Sequence, residues 1–226
     1  MLDWVAVEQN TDEWLELRAG RVTGSGFGKV MANFGKAFGD PAKKYATDIA
    51  IERLTGKPVK NGISNAHTNR GHIEEPLTLA LYEGQMFTTT SNGGFYKGER
   101  VGVSPDFRTC DGGIGEIKSV IPSVHHQNIM RQSYDPAYKW QYFGNLHFSG
   151  ADYLDFVSGC HTFPEGKQLY TFRIWRDQID KESQMLTERL EEFEELIQQR
   201  IDEICNTNYI IIDCENTTKN EGRAQL

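Results

Sequence analysis

Three residues define the chemistry this chain could perform: Asp106, closing Ser104-Pro105-Asp106, and Glu116 and Lys118, which flank Ile117 after nine intervening residues. Val101–Ser104 reads as a strand with Asp106 at its tip. Gly113–Val120 reads as a second strand, in which side chains alternate between faces, so Glu116 and Lys118 share one side while Ile117 turns into the core. Gly112, Gly113 and Gly115 permit a tight hairpin that returns the second strand beside the first. Two carboxylates and one ammonium then converge at a sheet edge. Carboxylate oxygens suit a hard cation such as Mg²⁺, which takes one or two of them and completes its shell with water and phosphate. An isolated Glu-x-Lys on a strand is an ordinary surface ion pair. The Pro-Asp ahead at this spacing and the glycine hairpin argue for more.

Arg18 and Ser25 form a second constellation. Arg presents a planar fork suited to phosphate, and a Ser at a helix start aims hydroxyl and backbone N–H groups at the same anion. Thr23 competes with Ser25 as the cap, and without function the pair is a surface Arg and an N-capping Ser. Gly24, Gly26 and Gly28 before Lys29 imitate a nucleotide-binding loop. Thr23, however, stands where its first Gly belongs, and Val30 where a Ser or Thr must ligate Mg²⁺. No ATP site is expected.

The elements that must position these groups follow from periodicity. Asn10-Thr11-Asp12-Glu13 offers N-caps to a short helix carrying Trp14, Leu17 and Arg18, stopped at Gly20; Thr23-Gly24-Ser25 leads into a second with Phe27, Val30 and Met31. Together they predict a helical-hairpin-like opening. Pro41 opens a longer helix with Tyr45, Ile49 and Leu54 inward and Gly56 at its end. Residues 57–66 read as loop, and Thr68–Tyr82 as a helix stopped at Gly84, with Pro76 perturbing it or lying in its first turn. Strands are expected at Met86–Thr90, Gly94–Lys97, Val101–Ser104 and Gly113–Val120. Residues 121–149 return to helical spacing, with Tyr138, Tyr142 and Leu146 on one apolar face, before strands at Tyr153–Ser158 and Leu169–Trp175.

A closing helix follows. Residues 177–205 hold ten acids and three bases, with Leu186, Leu190, Phe193, Ile197, Ile201 and Ile204 at helical spacing. The acids occupy its solvated faces. The chain's net charge is −8, yet outside this stretch only −1 remains, so the overall balance does not exclude a polyanionic partner. Hydrophobic residues at 38% exclude wholesale disorder, and no apolar run approaches the ~20 residues of a membrane span. Cys110, Cys160, Cys205 and Cys214 lie far apart, which excludes a zinc knuckle and predicts buried thiols in a reducing cytoplasm. Trp4, Trp14, Trp140 and Trp175 are expected in the core rather than as base-stacking platforms. The adjacent His125 and His126 suggest a DNA-facing loop more than a metal site, and His67 and His72 suggest nothing specific. The expectation is one α/β domain over 1–226, a central mixed β-sheet flanked by helices. Its core spans about 10–205, and a polar tail, 206–226, contains a short apolar run at Tyr209–Ile212.

Over roughly residues 10–175 the chain resembles the PD-(D/E)xK nuclease superfamily with its restriction-endonuclease-like core, and within it the phage lambda exonuclease (YqaJ-type viral recombinase) family. The resemblance is carried by Trp14–Ser25, by Gly71-His72-Ile73-Glu74-Glu75, by Ser104-Pro105-Asp106 with Glu116-Ile117-Lys118, and by Gln141-Tyr142. It implies that Asp106 and Glu116 hold a catalytic Mg²⁺ (Mn²⁺ as the alternate ion) with the Ile117 carbonyl. Lys118 would position or activate the attacking water. Glu75 would help hold a second ion, with Glu74 as the competing candidate, and Gln141 would bond near the catalytic water or phosphate. Arg18 and Ser25 would bind the 5′-terminal phosphate. The resemblance further implies a 5′→3′ exonuclease on double-stranded DNA ends, a homotrimeric ring, a single-strand-annealing recombinase partner, and a bacterial or phage-infected host cytoplasm. Competing readings are an endonuclease on the same core, restriction or junction-resolving, and a catalytically silent DNA-end-binding protein.

Overall fold

Thr11 starts the first helix: its Oγ1 accepts the Trp14 N–H at 3.2 Å, and α1 (Asp12–Arg18) gives way at Gly20, whose φ of +75° favours glycine. The computed structural model describes residues 2–59 and 66–207, the side chains of 66–72 excepted. In chain order the described elements are β1 (Asp3–Val5), α1, β2 (Val22–Thr23), α2 (Phe27–Met31), α3 (Asp40–Thr55), α4 (Ala66–Met86), β3 (Thr90–Asn92), β4 (Phe95–Lys97), β5 (Val101–Val103), β6 (Phe107–Thr109), β7 (Ile114–Ser119), α5 (Pro122–Arg131), α6 (Lys139–Ser149), β8 (Tyr153–Gly159), β9 (Leu169–Trp175) and α7 (Asp180–Asn206). No described helix is long and apolar enough to cross a membrane.

The strands form two sheets rather than one. A mixed five-stranded sheet has the order β3-β6-β7-β8-β9, with β7 parallel to β8 and the other neighbours antiparallel. A smaller one has the order β1-β4-β5-β2, with β2 parallel to β5. The hairpin beside β7 is therefore not made by Val101–Val103, which lies in the smaller sheet, but by β6, a three-residue strand that follows Asp106. Ser104-Pro105-Asp106 is the crossing between sheets. The Asp106 N–H donates to the Gly115 carbonyl at 2.9 Å, so Asp106 stands at the entry of β6.

Alternation along β7 divides two packing layers. Ile117 and Val157 pack with Tyr82 and Phe107 on the α4 side, while Ile114, Leu154 and Phe156 pack with Tyr142, Phe143 and Leu146 of α6 on the other. A third cluster joins α2, α3 and α7 to the smaller sheet through Phe27, Val30, Ile49, Leu186, Leu190, Phe193 and Ile197. Between β8 and β9 the buried Asp155 accepts both Arg173 N–H groups at 2.8 Å and the Tyr82 hydroxyl at 2.6 Å, so the buried charge is fully bonded.

Several local expectations change. A two-residue strand, β2, separates the opening helices, so they form no hairpin. α4 runs on through Gly84 to Met86 with Pro76 inside it, and the strand expected at 86–90 begins only at Thr90. Leu54 of α3 is exposed, and so are Cys110, Cys205, Trp4 and Trp175; Tyr138 packs its ring on Tyr142, with centroids 6.1 Å apart, but is itself exposed rather than buried. Of the expected buried thiols, Cys160 is buried; Cys214, like Tyr209–Ile212, lies outside the described residues. His125 does not lie in a loop: it is buried on α5, with Nδ1 bonded to Ser158 Oγ and Nε2 to the Lys167 carbonyl, both at 2.9 Å.

The crossing of the two sheets is sterically tight. A Cβ on Gly93 would lie 1.7 Å from the Pro105 carbonyl oxygen, whereas one on Gly28 meets nothing within 4 Å. Gly93→Ala must therefore displace the backbone that carries Asp106, and overpacking of this kind costs about 1–3 kcal/mol or more. Gly28→Ala, in α2, is expected to be neutral or to stabilise by up to ~1 kcal/mol. Urea unfolding of both variants against the unchanged chain checks the contrast.

Candidate active site

Asp106 is held from three sides. Its Oδ2 accepts the Ile117 N–H at 2.6 Å, its own N–H pairs with Gly115, and the segment before it is strutted by α1 and its approach. Trp14 Nε1 donates to Ser104 Oγ at 2.9 Å, Ser104 Oγ donates to the Gly94 carbonyl at 2.7 Å, and Gln9 Nε2 donates to the Pro105 carbonyl at 2.9 Å. The sheet-to-sheet crossing is thereby fixed against β7, the connection between β3 and β4, and α1 with its approach.

Glu116 shares the α6 face of β7 with Lys118, and it has no exposed surface. Lys118 Nζ lies 3.0 Å from its Oε2, and Gln141 Nε2 donates to the same oxygen at 3.1 Å. Asn145, one turn further along α6, donates from Nδ2 to Oε1. Lys118 also lies under the Tyr138 ring, 4.9 Å from its centroid.

Arg18 reaches the same cleft from α1. Its Nη2 donates to Thr23 Oγ1 at 3.2 Å and Ser25 Oγ at 3.4 Å, and its guanidinium lies 4.1 Å from the Trp14 ring centroid. The capping arguments for Ser25 and Thr23 fail: the short 3₁₀ turn Gly24–Gly26 and the five-residue α2 carry no side-chain cap, and the Thr23 N–H is taken by the Tyr45 hydroxyl at 3.0 Å. What remains at this end is the Arg fork and two hydroxyls.

One cleft is lined by Trp14, Arg18, Gly24, Ser25, Glu75, Asp106, Glu116, Ile117, Lys118, Gln141 and Asn145, so both constellations share it. Glu75 lines it, reaching from the α4 side of the sheet; Glu74 does not, and its carbonyl accepts the Thr78 hydroxyl at 3.1 Å. Thr23 lies behind, bonded to Arg18. Trp14 is a wall of the cleft rather than a core residue. Asn145 was missed, although it stands four residues after Gln141 and four-residue spacing puts two side chains on one helix face. The same spacing joins Trp14 to Arg18.

The electrostatics favour a cation. Burial, and next the Glu116 carboxylate, push the Asp106 carboxyl well above the ordinary range, with Glu75 adding to the shift and Lys118 opposing it. Burial pulls the Lys118 ammonium down, but Glu116 and Asp106 overcome it and the net shift is upward. Burial lowers the Arg18 guanidinium. Carboxyl groups crowded around one ammonium are an oxygen donor set for a hard divalent ion. Among the described residues no group of three His, Cys, Asp or Glu forms a metal centre unaided. The donors present are thus the Asp106–Glu116 pair beside the Ile117 carbonyl, which fits an ion that keeps several waters.

Comparison with known proteins agrees with this architecture. A crystal structure of an alkaline exonuclease (LHK-Exo) from Laribacter hongkongensis superposes with a TM-score of 0.71 at 26% identity, over 86% of this chain and 98% of that one. The same enzyme in complex with dAMP gives 0.73 at 28% identity, with the same coverage. A phage-related exonuclease from Haemophilus somnus 129PT shares the fold at a TM-score of 0.63 and 15% identity, over 81% of this chain and 96% of that one. Comparison with curated protein sequences gives no match. The model of the YqaJ-like viral recombinase domain matches residues 13–152, a span that takes in Arg18, Ser25, Glu75, Asp106, Glu116, Lys118 and Gln141, and the chain belongs to that family.

Proposed function

We propose that this chain is a divalent-cation-dependent, ATP-independent exonuclease that degrades double-stranded DNA 5′→3′ from its ends and leaves 3′ single strands for annealing recombination. The observation that carries it is the meeting of Asp106, Glu116 and Lys118 with Arg18 and Ser25 in one cleft. The solved alkaline exonuclease, similar over nearly all of its own length, supports the nuclease class. The trimeric ring and the single-strand-annealing partner rest on family membership. Light scattering of the purified chain checks the ring, and a monomer at working concentration removes it.

Asp106, Glu116 and the Ile117 carbonyl would hold one Mg²⁺ or Mn²⁺, and Glu75 would help hold a second. Bound there, the cation supplies Lewis acidity and lowers the pKa of water. The chain's own groups do the positioning. Lys118, an ammonium paired with Glu116, orients the attacking water and offsets charge on the scissile phosphate. Gln141 holds the Glu116 oxygen that Lys118 also holds, which keeps carboxylate, ammonium and water in register. Arg18, stacked on Trp14, offers its fork to a terminal phosphate, with Ser25 and Thr23 hydroxyls alongside.

Glu116→Ala and Asp106→Ala are expected to abolish cleavage of linear duplex at any Mg²⁺ concentration. Lys118→Ala should lower kcat by about 10²–10³-fold, the usual cost of losing one group that stabilises developing charge. Assays on linear and covalently closed circular duplex, with and without Mg²⁺, separate the alternatives. Digestion of closed circles identifies an endonuclease, and binding of ends without cleavage a silent end-binding protein.

Initiation should be faster on 5′-phosphate than on 5′-hydroxyl ends by about 10–100-fold, the equivalent of a charge-assisted bond of ~1.5–3 kcal/mol. Arg18→Ala should remove most of that preference while residual activity still requires Mg²⁺. Equal initial rates on the two ends with the unchanged chain would discard the end-reading role.

A further inference from the structure

Asn145 is nearly fully buried on α6 and serves two neighbours at once. Its Nδ2 donates to Glu116 Oε1, the carboxylate oxygen that neither Lys118 nor Gln141 touches. Its Oδ1 accepts no hydrogen bond. That oxygen is pressed against Gly24, where a Cβ would lie only 2.5 Å away. Gly24 sits between Thr23 and Ser25, the two hydroxyl residues that Arg18 holds. A buried amide with an orphaned acceptor is costly, and its other end is spent on the buried Glu116 carboxylate.

We propose that Asn145 is a positioning residue, its amide fixing the Glu116 carboxylate for cation binding and, through Gly24 seated on its oxygen, setting the Arg18–Ser25 end at a constant distance from that carboxylate. This rests on the reading of the cleft as a cation-dependent nuclease site. It also gives Gly24 a role: any side chain there must push the Asn145 amide off Glu116. The cleft's two ends are then registered through one side chain, in addition to the strut that Trp14 provides between Arg18 and Ser104.

The test is calorimetric titration of the full chain with Mn²⁺ in the absence of DNA, beside thermal melting of each variant. Asn145→Ala, folded as judged by its melt, should bind Mn²⁺ about 10–100-fold more weakly, the usual cost of removing a group that orients a ligand. Gly24→Ala should weaken it in the same direction, and Gly24→Ala added to Asn145→Ala should bring no further loss, because the oxygen it strikes is gone. On linear duplex, kcat of Asn145→Ala should fall with the metal affinity. Binding within twofold of the unchanged chain in a folded Asn145→Ala overturns the proposal. If Asn145→Ala does not fold, Gly24→Ala decides alone, and unchanged affinity there overturns it equally. Glu116→Ala is the control: if it binds Mn²⁺ as tightly as the unchanged chain, the reading of the cation site itself fails, whereas loss there with none in Asn145→Ala sinks only the positioning role.

Discussion

Glu116 has no exposed surface, and a carboxylate can be buried in that way only if donors meet both of its oxygens. Lys118 comes from the same strand, two residues on and on the same face; Gln141 and Asn145 come from α6, one helical turn apart. The requirement passes outward from there. α6 must lie over β7 at one height and one rotation, and that seat is made by Tyr142 and Leu146 packing on Ile114, Leu154 and Phe156. Polar geometry at the site is thus secured by apolar packing directly behind it.

Close approaches without side chains complete the seat. A Cβ at Gly144 would fall 2.2 Å from the Phe27 ring, and one at Gly26 would fall 2.3 Å from the Tyr45 ring. Gly144 lets α2 settle onto α6, and Gly26 lets the Gly24–Gly26 turn settle against Tyr45 of α3, which together bring Ser25 and Arg18 beside the carboxylates. Arg18 is poised by hydroxyls and an aromatic face, contacts that hold its guanidinium in place while its charge stays available to an anion. Acidic groups at one end of the cleft and an arginine at the other give it a direction. The acids that dominate the net charge lie chiefly on the solvated faces of α7, whose apolar stripe packs into the cluster with α2 and α3.

Much of this was legible in sequence, for identifiable reasons. Period-two alternation put Glu116 and Lys118 on one face and Ile117 on the other, as the structure has them, because pleating is local. Strand Leu169–Trp175, the Gly56 helix end with its φ of +66°, and the stripe of α7 from Leu186 to Ile201 follow from equally local rules, whereas Ile204, expected on the same stripe, is exposed. Trp14 and Asn145 carried a usable signal, four-residue spacing from Arg18 and Gln141. In Trp14 the tendency of tryptophan to be buried outweighs it, and in Asn145 the spacing alone does not distinguish a site residue from any polar residue on a helix.

The amino-acid sequence by itself determined the residue types at the site, the side of β7 on which each lies, and most of the helices, since dihedral preferences and periodicity act over a few neighbours. Only the tertiary structure decided which strand lies beside Glu116. Three-residue β6 has too little alternation to announce itself, although its partner β7 follows within the same hairpin, and the parallel register that sets Glu116 against Phe156 of β8 joins residues forty positions apart. The same holds for the placing of Glu75 rather than Glu74 on the cleft, the sharing of that cleft by Arg18 and Asp106, and the burial of His125. Each depends on surfaces that meet only when elements distant in the chain pack together, from 33 residues between His125 and Ser158 to 88 between Arg18 and Asp106, and contacts at such separations leave no trace in local spacing.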